Sequence, residues 1–293
     1  MSVWIHGIGV VGGFGCGRVA LEVALAAGAV APRSLAVPTG QGMVELPAYR
    51  ADTAPLDNYV PKRALRRVDG FARMALLGAC LALEDGGQTP GGLQGTGLIL
   101  ASGQGATGST LGLLDSFFES GDACASPIHF ANSLHNAAAA HLAILLGADG
   151  PCVTLSQGRL SVLAALFTAK LWLEEGRATQ VLVGCVEELS EVMGYAWLKN
   201  HGTSLVPGEG AAFFLLTRAP EGARAELCQV ELGLVEESTL PTGGSFPQVY
   251  GHGPAAIGFD VAAASILLGT QGHGGIRLLV EEPGEGCGSV SFR

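Results

Sequence analysis

The sequence predicts an α/β fold, and two observations support this. Short apolar runs typical of buried strands alternate along the chain with segments whose apolar residues recur at helical spacing. Hydrophobic residues make up 48% of the 293 residues, charged residues only 14%, and 45 residues are glycine, which indicates tight packing or a large buried interface. Strands that alternate with buried helices favour a largely parallel sheet that is covered on both faces.

The individual elements follow from the spacing of apolar residues. The predicted strands are short apolar runs at 3–10, 97–101, 152–155, 180–185, 211–216, 225–235, 276–280 and 289–292. The predicted helices are amphipathic or wholly apolar, at 18–27, 68–85, 132–146, 161–175 and 259–268. Residues 31–57 contain four prolines and are predicted to form an irregular surface excursion.

Composition and charge exclude several classes of function. A net charge of −10 argues against a nucleic-acid partner. The apolar runs are too short to cross a bilayer, and no positively charged leader opens the chain, so a cytoplasmic location is expected. The seven cysteines never form a CxxC spacing, which favours reduced, mostly buried thiols over a metal site. No acidic residue follows the glycine-rich turn at 12–17 in the position of a dinucleotide site, and no cofactor is expected.

Seven short motifs occur in a characteristic order. They lie at 5–15, 66–72, 136–144, 150–161, 183–187, 207–211 and 250–258, and a glycine-rich segment at 284–288 follows them. In the third, Asn136 and His141 match an Asn-x-x-x-x-His-Leu-x-Ile helix, and in the sixth the sequence is Gly-Glu-Gly-Ala. In order and spacing these motifs resemble the β-ketoacyl-ACP synthases of the thiolase superfamily.

The resemblance implies a fold and a reaction. The fold would be a thiolase-like αβαβα layered structure with two similar halves, here 1–203 and a shortened 204–293. The reaction would be decarboxylative condensation, in which a cysteine at a helix N-terminus carries the acyl chain because the helix dipole lowers its thiol pKa. Two histidines and a supporting lysine complete the family's catalytic set.

Most of that set is missing from this sequence. An ungapped match from Gly150-Pro151 places Arg159 at the cysteine position, whereas a shift of two residues would place Gln157 there. Neither side chain forms a thioester, and arginine stays protonated. The family's His-Gly-Thr segment has no counterpart in the second half, since His201-Gly202-Thr203 precedes the Gly-Glu-Gly motif, and the lysine position falls on Pro247. Only His252 is retained as a candidate catalytic residue.

Other motif residues are predicted to be structural. His141 is expected to be a buried histidine with a hydrogen-bond partner. Glu187 is expected to accept hydrogen bonds at a turn, because adjacent residues such as Glu187 and Glu188 make poor acid–base pairs. The cations Lys62, Arg63, Arg66 and Arg67 are either a solvated face or a surface for an acidic acyl carrier protein.

Two functions remain open. The first is a ketosynthase homologue without the cysteine, a chain-length-factor-like partner in fatty acid, polyketide or aryl-polyene biosynthesis. It would form a homodimer, or a heterodimer with an active ketosynthase. The second is a diverged acyltransferase or thioesterase that acts on acyl-ACP or acyl-CoA through His252.

Overall fold

The computed structural model describes residues 2–233, 240–271, 274–282 and 286–293. The strands are β1 Val3–Gly12, β2 Gly15–Cys16, β3 Arg33–Thr39, β4 Gly42–Ala48, β5 Thr96–Ala101, β6 Cys152–Leu155, β7 Gln180–Glu187, β8 Gly210–Thr217, β9 Ala225–Leu232, β10 Ile276–Glu282 and β11 Gly286–Phe292. The helices are α1 Arg18–Ala27, α2 Gly70–Asp85, α3 Thr107–Ser120, α4 Pro127–Ser133, α5 Ala137–Leu146, α6 Ser161–Glu174, α7 Glu191–His201, α8 Pro247–Tyr250 and α9 Ala255–Gln271. The predicted α/β class is therefore confirmed, and the ends of most predicted helices and strands differ from the observed ones by a few residues. Residues 234 and 235 of one predicted strand and residues 284 and 285 of the last motif lie outside the described residues.

One sheet organises the described chain. Its strand order is β10-β11-β9-β1-β8-β7-β5-β6, and β2 pairs with β1. Only β5 runs parallel to its neighbours, β6 and β7, and the other pairs are antiparallel. The prediction of a largely parallel sheet is therefore wrong, because strands such as β7 and β8 reverse direction instead of crossing over.

The sheet contains an internal repeat. The order β7-β8-β1 recurs as β10-β11-β9, with every pair antiparallel in both copies. A long helix precedes each copy, α6 before β7 and α9 before β10. Strands β1 and β9 join the copies, with Val3 opposite Leu227. Counterparts of β5 and β6 are absent from the described part of the second copy, so this half is shortened. The division of the chain at 203/204 stays a prediction. Strand β8 follows that division in sequence, but in the sheet it lies between β1 and β7, which precede it.

Two hydrophobic cores lie on opposite faces of the sheet. One contains the buried faces of α6 and α9, which pack between the first-half strands and the shortened second half. The other contains α2 and α5 against the reverse face of β1, β5, β7 and β8. Helix α2 lies close to β1, since a Cβ at Gly9 would be 2.0 Å from the carbonyl oxygen of Gly78. These layers place the N-termini of α6 and α9 at the same side of the molecule as the ends of β6 and β7.

Three parts of the fold differ from the prediction. Residues 33–48 form an antiparallel hairpin of β3 and β4, not an irregular excursion, and it packs on α7. The helix predicted over 132–146 is two helices, because Leu134 is extended at the end of α4. Helices α3 and α7 were not predicted from spacing.

Candidate functional site at two helix N-termini

The first part of the site is the turn between β6 and α6. A single side chain fastens it: the hydroxyl of Ser161 donates to the carbonyl of Gly158 at 2.7 Å and accepts from the N–H of Gln157 at 2.7 Å. Gly158 has φ +52°, a left-handed conformation that glycine adopts without strain. Arg159 follows it and is exposed, as is Gln157. The turn therefore keeps a defined shape, with two polar side chains directed to solvent before α6 begins.

A buried carboxylate lies beneath this turn. Glu187, at the end of β7, is 4% exposed and accepts from the N–H of Gly103, from the N–H of Gln104 at 3.2 Å and from the hydroxyl of Ser102 at 3.2 Å. Burial raises the pKa of Glu187 to about 7, and these hydrogen bonds oppose the rise. A Cβ on Gly103 would be 2.9 Å from the carbonyl oxygen of Gly158. Glu187 thus fixes the loop on which the turn rests.

The second part of the site is the turn before α9, where His252 lies. The N–H of His252 donates to the carbonyl of Val206, and its carbonyl accepts from the N–H of Gly208, both at 2.9 Å. Burial lowers the pKa of His252, and the nearby charges of His201 and Arg159 lower it further. The imidazole is therefore mostly neutral at pH 7. His201, which sequence spacing set aside, lies close enough to influence it.

Arg159 links the two turns electrostatically. Its charge acts on His252 and also on Asp260 of α9. Burial raises the pKa of Asp260 to about 6, against hydrogen bonds from Tyr250 and Ser245 and the charge of Arg159. Tyr250 is 1% exposed; it donates to Asp260 and accepts from the N–H of Phe246 at 2.9 Å. The sequence did not indicate this tyrosine–aspartate pair.

The thiols near the two turns are unsuited to catalysis. Cys152 lies on β6 before the turn, and desolvation raises its thiol pKa. Cys185 is buried, and desolvation raises its thiol pKa to about 12. Only Cys80 and Cys185 are buried, whereas Cys124 and Cys152 are exposed, so the expectation of mostly buried cysteines is wrong. A thiol with a raised pKa is a poor nucleophile at neutral pH.

His141 borders a cavity outside both turns. It is half-buried instead of buried, which corrects the prediction, and its Nε2 lies 3.4 Å from Oδ1 of Asn132. The amide of Asn132 donates to the carbonyl of Arg67 at 2.9 Å. The cavity, of about 570 Å³, lies between α4 and α5 and is lined mainly by apolar side chains.

The predicted basic surface is exposed. Lys62, Arg63, Arg66 and Arg67 all face solvent just before α2, and Lys62 pairs with Asp57 at 3.1 Å. These cations are far from the two turns in sequence, and one of them, Arg67, also lines the cavity between α4 and α5. The structure therefore leaves them available to a partner, and it does not connect them to the turn chemistry.

Sequence reasoning missed a second buried acid. Glu209, of the Gly-Glu-Gly-Ala motif, is 5% exposed and accepts from Nε of Arg50 at 2.6 Å and from the N–H of Leu189 at 2.9 Å. Glu188 accepts from the N–H of Gly108 and the hydroxyl of Thr107 at the start of α3. Glu187 and Glu188 therefore diverge to different loops. The glycines on either side of Glu209 could have indicated that it is buried, but nothing in the sequence indicates that its partner is Arg50.

Comparison with known proteins places the chain in a family. Residues 45–227, well over half of the chain, match the model of the β-ketoacyl synthase N-terminal domain. The chain belongs to the β-ketoacyl synthase family. The matched region includes the β6–α6 turn and Glu187 and ends before His252. No curated protein sequence matches the chain.

Solved structures share the fold over the whole chain. The ishigamide ketosynthase/chain length factor is 18% identical with a TM-score of 0.82, covering 100% of this chain and 99% of the other. A β-ketoacyl synthase from Burkholderia phymatum STM815 is 15% identical with a TM-score of 0.79, covering 100% and 99%. The ketosynthase ApeO in complex with its chain length factor ApeC, from Xenorhabdus doucetiae, is 14% identical with a TM-score of 0.77, covering 99% of this chain and 97% of the other. The thiolase-like fold class predicted from the motifs is confirmed.

The described residues contain neither a metal-binding cluster nor a helix that could cross a membrane. In the described ranges, no cluster of three His, Cys, Asp or Glu side chains is arranged to hold a metal ion. Among the helices of those same ranges, none is both long and apolar enough to cross a membrane.

Proposed function

We propose that this chain is a non-condensing subunit that assembles with an active ketosynthase, in the manner of a chain-length factor. The observation that carries the proposal is the β6–α6 turn. The turn retains its glycine, its fastening Ser161 and the underlying Glu187, yet the side chains it presents are Gln157 and Arg159. An amide and a guanidinium do not form acyl thioesters.

Arg159 is the better candidate for the former cysteine position. It fits the ungapped match, and its charge acts on His252, the retained family histidine. A cysteine in a condensing site must lie near that histidine for the acyl chain and the extender unit to meet. Arg159 therefore places a permanent positive charge, and no thiol, at the position from which the thioester would form.

The solved neighbours support a paired assembly. The ishigamide protein is a ketosynthase/chain length factor, and ApeO is a ketosynthase in complex with its chain length factor. AntDE:AntF is a type II PKS acyl-carrier protein in complex with its ketosynthase, and it matches with a TM-score of 0.78 and 15% identity. By analogy, this chain would form a heterodimer with a ketosynthase, with a homodimer as the alternative, and would meet the acyl carrier protein in that complex.

The edge strand β6 is consistent with assembly. The sheet ends at β6, which pairs only with β5 in the described chain. The hydroxyl oxygen of Thr154 on this strand is buried without a hydrogen-bond partner among the described residues. An exposed edge is a template for pairing with another chain, and a buried unpaired hydroxyl costs stability unless a partner is supplied. A subunit that pairs with β6 would satisfy the free backbone groups of that edge.

The second candidate is an acyltransferase or thioesterase that uses His252. The lowered pKa of His252 favours it, since a neutral imidazole is a competent general base. However, among the described residues no hydroxyl or thiol is hydrogen-bonded to His252, so the base lacks a nucleophile to activate. Turnover of an acyl thioester that disappears in His252→Ala would establish this candidate.

The test of the main proposal uses malonyl-ACP and acyl-ACP. The purified chain is incubated with each and examined by intact-mass spectrometry, and is then assayed together with a ketosynthase from the same genome that retains its Cys-His-His set. We expect no acyl adduct on this chain, and condensation products that depend on the presence of both proteins. An acyl adduct on this chain, or condensation by this chain alone, would contradict the proposal.

A further inference from the structure

The loop that leads from β5 into α3, residues 102–109, is held by carboxylates from elsewhere in the chain. Its first part is bound to Glu187, which accepts from the hydroxyl of Ser102 and from the N–H groups of Gly103 and Gln104. Glu187 is 4% exposed, and a Cβ on Gly103 would be 3.4 Å from its Oε1. The 102–109 loop therefore lies directly against this carboxyl group and helps to keep it from water.

The second part of the loop is bound to two further carboxylates. Glu188 accepts from the N–H of Gly108 at 2.5 Å and from the hydroxyl of Thr107 at 3.2 Å. Asp69 accepts from the hydroxyl of Ser109 at 2.5 Å. In the described structure the N-cap residue of α3 makes no side-chain capping bond, so Glu188 takes that part at this helix N-terminus.

The carboxylates that hold the loop influence one another. Burial raises the pKa of Glu187 to about 7, and the charge of Glu188 adds to the rise. Burial also raises the pKa of Glu188, and the charges of Asp69 and Glu209 add to that rise. Hydrogen bonds from the loop oppose both shifts. Near pH 7, Glu187 therefore carries a proton in about half of the molecules.

A cavity of about 430 Å³ lies beside the loop and gives it room to move. Gly108 and Glu188 contribute to its wall, as do Glu191 at the start of α7 and the pair of Arg50 and Glu209. Arg50 bonds to Glu209 at 2.6 Å, so its charge offsets that carboxylate first. The side of the loop that faces the cavity is therefore acidic.

Two titratable groups of other kinds also face this region. Cys185 precedes Glu187 on β7, and burial raises its thiol pKa to about 12, so the thiol stays neutral. His135 lies against the loop, because a Cβ on Gly105 would be 3.3 Å from its Nε2. The imidazole must therefore be tested separately from the carboxylates.

We propose that the 102–109 loop is a pH-dependent clasp, closed while the Glu187 carboxyl carries a proton and loosened when Glu187 and Glu188 are both ionised. A buried carboxylate is stabilised by reaching water, and Glu187 reaches water only if the loop that covers it moves. The sign follows from the raised pKa in the closed state: the proton stabilises the closed loop fully below about pH 4.5, and this stabilisation is lost as the pH rises through about 7.

Loosening of the clasp acts on two neighbouring parts of the fold. A Cβ on Gly103 would be 2.9 Å from the carbonyl oxygen of Gly158, so the β6–α6 turn rests on the loop and loosens with it. At the other end, loss of the Glu188 bond leaves the first turn of α3 uncapped. The pH thereby changes the shape of the candidate site, and this holds whether or not the chain is a non-condensing subunit.

Amide hydrogen exchange of the purified full chain, resolved by peptide mass spectrometry, tests the clasp. After correction for the intrinsic pH dependence of exchange, protection of the amides of Gly103, Gln104 and Gly108 should fall about tenfold between pH 6 and pH 8. This ratio follows from a pKa of about 7 in the closed loop and an ordinary value of 4.5 in the open loop. Residues 157–161 should show the same fall. Protection that does not change with pH in either segment would overturn the proposal.

Three variants identify the titrating group. Glu187→Gln is neutral at every pH, so protection of the loop should no longer depend on pH. The matched control is Glu191→Gln, an exposed acid of the cavity wall that makes no hydrogen bond to the loop in the described structure, and it should keep the parent's fall. His135→Gln should keep it too, and its loss in that variant would overturn the choice of Glu187. If Glu187→Gln does not fold, carbon-13 NMR of the parent decides, because titration of the Glu187 carboxyl near 4.5 would contradict the clasp.

Discussion

Replacing Arg159 by cysteine tests whether this position is the family's nucleophile position. The thiol of Arg159→Cys would lie just before α6, which has no side-chain cap and no acidic residue in its first turn to offset its dipole. Helix N-termini lower thiol pKa values from about 8.5 to about 7.5 or below. The nearby Asp260 carboxylate opposes part of this shift, so we expect a pKa between about 7 and 7.5.

The thiol pKa is measured from the pH dependence of iodoacetamide alkylation, resolved by peptide mass spectrometry from the seven native cysteines. Between pKa values of about 8.5 and 7.5 the thiolate fraction at pH 7 rises from about 3% to about 24%, a difference that the pH profile resolves. Gln157→Cys is the matched control and should titrate near about 8.5. If Gln157→Cys has the lowered pKa instead, the shifted alignment is right. If neither does, the turn is not a nucleophile-activating site. Condensing activity should not return in either variant, because the family's His-Gly-Thr segment and its lysine are missing.

Three further results are expected. The pKa of Glu187 is raised in the folded state to about 7 from an ordinary value of 4.5, so between these values the folded state holds a proton that the unfolded state has lost. The free energy of unfolding should therefore fall as the pH rises from about 4.5 to 7. Urea denaturation should show a loss of on the order of 2–3 kcal/mol over this range, and Glu187→Gln should remove it. Gly103→Ala should destabilise by about 1–3 kcal/mol in the same assay, whereas Gly70→Ala, with open space around its Cβ, should not. Arg63→Glu/Arg66→Glu should weaken binding of an acidic acyl carrier protein several-fold at low salt and little at high salt, and an unchanged affinity would assign these cations to a solvated face.

The elements that local sequence predicted are those with strong periodicity. Helix α2 buries most of its length, and its N-terminus is fixed by Asp69, which accepts from the N–H of Ala72 at 2.8 Å. Helix α3 escaped prediction because it contains two glycines and several hydroxyl residues and has almost no buried face. The β3–β4 hairpin escaped because Pro38 and Pro47 suggested a loop, although prolines are tolerated in an isolated two-stranded pair.

Strand direction and the site's acidic partners depend on contacts far apart in the chain. The antiparallel pairing of β8 with both β1 and β7 is set by where the chain returns, which no local pattern records. Motif resemblance found His252 and Glu187, but not the bond between Tyr250 and Asp260, nor the ion pair that joins Arg50 to Glu209 across 159 residues. Polar residues whose hydrogen-bond or ion-pair partners lie far away in the sequence cannot be identified from local sequence patterns.

The central place of β1 affects how the protein is made. Apart from the two-residue β2, its partners are made about 200 residues later: β8, at 210–217, and β9, at 225–232. At about 5–20 residues per second, synthesis leaves β1 unpaired for on the order of 10–40 seconds. This strand is apolar, and most of both its edges are open during that interval, so we expect it to need chaperone protection. Nascent chains that stop before residue 210 should aggregate, whereas chains that extend past β9 should stay in solution.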